Sequence, residues 1–173
     1  IRGNLFIPDP RVFWVTPSVQ YLSKFIMQEE VTAIITTGPP HSMHMIGLEL
    51  KKKFPEVKWI ADFRDPWSEW DVLPKLRATA RTFRKHRSLE LSVLKTADQV
   101  LTVSKSLKES LQSKYSQGRV NLVTNGISDD KTKLHETKNS SEKFVIGYYG
   151  MLNEIRDPET FWKVLEELCE RNE

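Results

Sequence analysis

Apolar residues along this chain fall into two alternating patterns. Short β-branched runs end in glycine, proline or charge, and stretches with apolar residues at helical spacing follow them. The spacing predicts a helix over 18–28, with Val19, Leu22, Phe25 and Ile26 on one face. A strand follows over 31–37 (VTAIITT), then a helix over 42–54 and a strand over 57–63. Residues 64–74 read as a polar, aromatic loop, and 75–95 as a long helix with its apolar stripe at Leu89, Val93 and Leu94. Next come a strand over 99–103, a short helix capped by Ser104 and marked by Leu107 and Leu111, and a strand over 119–123. Asn125-Gly126 is a turn signal. A strand over 144–149 (FVIGYY) and a helix over 157–169, with Phe161, Val164, Leu165 and Leu168 inward, complete the pattern.

Strands alternating with helices imply an α/β chain: a Rossmann-like, mainly parallel sheet with flanking helices and right-handed crossovers. Residues 128–143 are polar and nearly devoid of apolar groups, so they read as a linker. The expected organisation is a domain over 1–127, the linker, and the first strand and helix of a second domain over 144–173. The opening IRGNLFIPDP has no initiator Met and no clear first strand, and reads as entry into the middle of a larger protein.

Composition narrows the classes. The chain has 173 residues, 39% hydrophobic and 28% charged, as expected of a globular protein. It shows neither an apolar run long enough to span a bilayer nor the order of a signal peptide. A lone Cys169 excludes an internal disulfide framework and a Cys-rich metal site, and His44, His86 and His135 share no ligand spacing. No metal is expected, and a reducing cytoplasm is the natural location.

Candidate chemistry gathers at two strand exits. TTGPPHS leaves the 31–37 strand, and DFRDPW ends the next. Ligands in open α/β sheets bind at such carboxyl ends, and helix N-termini favour anions. Gly38 lets a ligand approach the backbone, Pro39 and Pro40 fix the loop, and His41 and Ser42 open the helix. The plain alternative is a loop that only caps a helix, with His41 on the surface. Arg64 and Asp65 suit an anion and a proton respectively, or form an internal pair while Pro66 turns the chain and Trp67 plugs a gap. Trp67 and Trp70 either stack on a sugar or lie buried. In the basic run 75–87, Arg77, Arg81 and Arg84 recur at helical spacing. That face suits an anionic membrane surface or a lipid phosphate, or is merely solvated; no nucleic-acid recognition motif accompanies it.

The ordered set TGPPHS, DFRDPW, VSKSLKESL, VTNGIS and IGYYGMLNEIRDPETFWKVL resembles the family 4 glycosyltransferases of the GT-B fold, in a bacterial form, over nearly the whole chain. The resemblance implies two Rossmann-like domains facing a cleft. It further implies sugar transfer, with retention, from a nucleotide-diphosphate sugar to a glycan or lipid-linked acceptor, with no cofactor beyond that substrate. Gly38, Pro39, Pro40 and Ser42 then hold acceptor or phosphate, while Asp65, Arg64 and His41 carry the chemistry. Gly150, Asn153 and Arg156 approach the donor, and Arg77, Arg81 and Arg84 give peripheral contact with the inner face of the membrane. The family often places a histidine where this chain has Arg64. Its glycine-rich first loop and its donor-side glutamates are absent, so the chain is expected to be a fragment that is inactive alone. A non-catalytic nucleotide- or phosphate-binding module and a basic membrane-docking domain are the alternatives.

Overall fold

A computed structural model describes residues 2–115, 120–126, 145–150, 152–153 and 156–171. The chain divides into two compact units, 1–127 and 128–173. The linker expected over 128–143 lies outside the described residues.

The first unit opens with α1 (Arg2–Leu5) and a 3₁₀ turn (Pro10–Trp14), then α2 (Val15–Gln28). Three βα steps follow: β1 (Ala33–Gly38), α3 (Ser42–Lys53), β2 (Lys58–Phe63), the short α4 (Val72–Lys75), α5 (Ala80–Thr96), β3 (Gln99–Thr102), α6 (Lys105–Lys114) and β4 (Val120–Leu122). The strands pair in parallel in the order β1-β2-β3-β4. Sequential order with crossovers of one hand sends every connecting helix to the same face. The core shows this: Trp59, Ala61 and Phe63 of β2, Val100 of β3 and Val120 of β4 meet Leu48 of α3, Val93 and Leu94 of α5, and Leu107 and Leu111 of α6. A second cluster joins Val19 and Ile26 of α2 to Ile46 and Leu50 of α3. On the opposite face Ile60 and Leu101 are half-buried and Ile35 is 65% exposed.

Local signals account for the ends of the elements. Ser104 caps α6 by accepting from the Leu107 N–H, and Thr79 caps α5 by accepting from the Thr82 N–H. The Asp98 carboxylate, held by Lys51 at 2.8 Å, accepts from the Trp59 N–H at 2.8 Å and ties the start of β2 to the start of β3.

Five expectations are corrected. The long helix does not begin at 75 but at Ala80, after its Thr79 cap. Arg77 precedes the cap in the left-handed region (φ 53°), so it does not share a helical face with Arg81 and Arg84. The strand expected over 144–149 is not formed at residues 145–149, which are irregular; Phe144 lies outside the described residues. In the second unit the last helix, α7, is Glu159–Glu170 with Pro158 at the cap rather than inside. Of its expected inward residues only Leu165 is half-buried; Phe161, Val164 and Leu168 are exposed.

Candidate functional site

The exits of β1 and β2 meet because the strands are neighbours in register, Gly38 opposite Phe63. The Arg64 N–H donates to the Gly38 carbonyl at 3.0 Å, carrying the pairing one residue past the strand. Beyond that point Pro39, Pro40 and His41 from one exit, and Asp65, Pro66 and Trp67 from the other, line one cavity of about 480 Å³. The N-terminal segment Pro8–Arg11 closes one side, and Trp70, Leu73 and His86 complete the wall.

The helix N-terminus expected to receive a ligand is occupied by the chain itself. Asp9 accepts from the Ser42 N–H at 2.7 Å and from the Ser42 hydroxyl at 2.9 Å. The Arg11 N–H donates to the same carboxylate, and the Trp14 indole N–H donates to the Ser42 oxygen at 3.0 Å. Ser42 is fully buried in this network. An acceptor group thus caps α3 from 33 residues away, where a local Ser or Asp would ordinarily do so. Asp9→Ala is expected to lower the unfolding free energy by about 2 kcal/mol, because it removes the cap and leaves a buried hydroxyl and N–H short of a partner. A urea titration with an unchanged midpoint would contradict this.

His41 is buried with its ring 4.8 Å from the Trp67 ring and parallel to it within 1°. Burial pushes its pKa down to about 4, against the opposing pull of Asp9 and of a hydrogen bond to the Pro66 backbone. His44, one turn on, is pushed down to about 3 by burial and by His41. The Trp59 indole N–H donates to Thr36 Oγ1, which lies 2.9 Å from His44 Nδ1. Thr36 Oγ1 and His44 Nδ1 share one further hydrogen bond, whose direction follows the imidazole tautomer. His44 Nε2 and His41 Nδ1 have no hydrogen-bond partner among the described residues. Both face the Cα of Gly38, where a β-carbon would stand 2.6 Å from one and 3.1 Å from the other; only glycine fits.

Trp67 is 1% exposed and donates its indole N–H to His86 Nδ1 at 3.0 Å. Trp67 is therefore a wall of the cavity, and its faces are taken. Burial lowers the His86 pKa, opposed by Asp9 and Glu90. The neighbouring Ser68 is fixed by its backbone and hydroxyl donating to Glu90, which Lys114 neutralises at 3.1 Å. Trp70 differs: it is 42% exposed and offers the cavity a free aromatic surface. Asp65 is exposed and has no hydrogen bond or ion pair among the described residues.

The structure therefore gathers His41, Pro39, Pro40 and Asp65, with Gly38 and Ser42 directly behind them. Arg64 is placed elsewhere: its guanidinium donates to Asn125 Oδ1 beyond β4, and it does not line the cavity. Gly150, Asn153 and Arg156 belong to the second unit, where the Arg156 N–H donates to the Asn153 carbonyl at 2.8 Å. Arg81 and Arg84 flank a separate cavity on α5. Sequence reasoning missed Asp9, Arg11 and His86, all of which line the site. Pro-Asp-Pro near a helix-rich start reads locally as a turn, and only the pairing with Ser42 reveals its role. Among the described residues no group of His, Cys, Asp and Glu is arranged to hold a metal ion, and no helix is long and apolar enough to cross a membrane. Comparisons with protein-family models, with curated proteins and with solved structures return no match for this chain.

Proposed function

We propose that the cavity at the β1 and β2 exits is the acceptor-binding wall of a retaining glycosyltransferase. The reaction is transfer of a sugar from a nucleotide-diphosphate sugar to a glycan or lipid-linked acceptor. The observation that carries this reading is the unpaired Asp65 carboxylate beside the exposed Trp70 in a proline-walled cavity at the carboxyl ends of parallel strands. A sugar ring places its C–H groups on an aromatic face and its hydroxyls on carboxylate and imidazole groups. Trp70 supplies the face, and Asp65 and His86 supply polar contacts. Asp65 accepts the proton of the acceptor hydroxyl as its oxygen bonds to the anomeric carbon. The anomeric C–O bond to the diphosphate breaks, and the nucleoside diphosphate leaves with the electron pair. With Asp9 filling the start of α3, this end of the sheet suits a neutral acceptor better than a donor pyrophosphate.

Saturation-transfer NMR with a panel of oligosaccharides tests the binding step. Binding is expected in the millimolar range or tighter, weakened at least about tenfold by Trp70→Ala, the loss of one stacked ring. In the native protein, Asp65→Asn is expected to cut turnover at least about tenfold with folding unchanged. Absence of any saccharide contact at Trp70 would refute the acceptor site, and near-native turnover of Asp65→Asn would remove that carboxylate from the chemistry.

A further inference from the structure

Next to this cavity lies a second, of about 640 Å³, with different chemistry. The two adjoin: Ile7 lines one and Pro8 the other, and on α5 Thr82 and His86, one turn apart, do the same. Asn4 and Ile7 form one wall of the second cavity, and the opening turns of α5 form the other, carrying Arg81, Arg84 and Lys85. No acidic residue lines it, and none occurs anywhere from Lys75 to Leu89. None of the three cations has an ion-pair or hydrogen-bond partner among the described residues.

Folding alone does not favour this arrangement. Arg81 and Arg84 stand three apart and Arg81 and Lys85 four apart, spacings at which like charges repel. Arg81 is also in the first turn of α5, where the helix dipole disfavours a cation. The backbone at this end is already capped: Thr79 accepts from the Thr82 N–H, and Asn4 accepts from both the Thr79 N–H and the Thr82 hydroxyl. What the cavity offers a ligand is thus side-chain charge, two guanidinium forks and an ammonium on one rim. Guanidinium forks match the oxygens of a phosphate bidentately.

We propose that this cavity is a phosphate-binding site, for a phosphate monoester or diphosphate held by Arg81, Arg84 and Lys85. It does not depend on the neighbouring cavity taking a sugar. The bound anion relieves the repulsion among the cations.

Isothermal titration of the full chain with inorganic pyrophosphate, at about 100 mM salt to screen diffuse attraction, tests it. Sub-millimolar binding is expected, weakened at least about tenfold by Arg81→Ala with Arg84→Ala. Both side chains are exposed and unbonded, so the melting temperature should hold. Lys24→Ala with Lys105→Ala removes the same charge from exposed positions elsewhere and should leave the affinity intact. No binding, or equal loss in both double variants, would overturn the site. Co-sedimentation with phosphatidylcholine vesicles containing phosphatidic acid separates the sources of phosphate. Sedimentation lost only in the Arg81 and Arg84 variant assigns a lipid headgroup. Pyrophosphate binding without sedimentation assigns a soluble ester. Sedimentation lost equally in both variants counts against a built site.

Discussion

Gly47→Ala is expected to cost about 3 kcal/mol of stability, although alanine is the better helix former. The residue sits in the middle of α3, where replacing glycine by alanine would by propensity alone gain up to about 1 kcal/mol. Packing reverses the sign. A β-carbon at Gly47 would stand 2.5 Å from Trp59 Cε2 and 2.7 Å from Cζ2, and would press on Nε1 as well. The indole cannot move aside freely, since it is fully buried and donates to Thr36 Oγ1, itself bonded to His44. Overpacking of this kind costs about 1–3 kcal/mol, and a broken buried hydrogen bond adds about 1–3 more, so the steric term wins. Urea denaturation measures the loss. Trp59→Phe, which trims the indole ring, should recover part of it in the double variant, a coupling that propensity cannot produce. A Gly47→Ala protein as stable as the native one would mean that α3 does not press on Trp59.

Much of the first unit was legible because its signals are local and repeated. The short apolar runs ending at Thr37 and Phe63 and the Ser104 cap are each read from a few neighbouring residues. The candidate site was half legible for the same reason: both strand exits could be read, and parallel pairing brings them together. What escaped reading was long-range. Asp9 acts on Ser42 across 33 residues, and nothing beside Ser42 shows that its N–H is already taken. Lys75, Leu76 and Arg77 fit a helical pattern and put the start of α5 too early; its cap at Thr79 shows only in the structure. FVIGYY has the composition of a strand, but pairing is a property of two segments. Gly47 shows in the sequence only as a glycine inside a helical pattern; its contact with Trp59 is again long-range.

Acidification below about pH 6.5 should destabilise the first unit. His41 and His44 are buried neutral, with pKa values pushed down to about 4 and about 3 from an unfolded value of 6.5. Below pH 6.5 the unfolded chain binds protons that the folded chain refuses, so stability is complete above that pH and is lost as pH falls towards the folded values. The two groups together give a slope of nearly two protons, which amounts to about 4 kcal/mol between pH 7 and pH 5. His86, also lowered by burial, adds in the same direction. The groups facing this cluster do not cancel it: Asp9 and the Pro66 backbone raise the His41 pKa, but burial outweighs them, and His41 itself opposes protonation of His44. Asp98 and Glu69, held low chiefly by hydrogen bonds from Lys51 and Ser110 against burial, lose their contribution only at more acid pH. Urea titrations at pH 7, 6 and 5 measure the slope. His44→Asn, whose amide offers Thr36 both a donor and an acceptor, should cost stability at pH 7 yet flatten the slope by about one proton. A flat profile in the native chain would mean that both rings take up protons while folded. The two unpartnered nitrogens around Gly38 would then be open to water, and the stacked wall of His41 and Trp67 would not be a rigid floor for the cavity at the β1 and β2 exits.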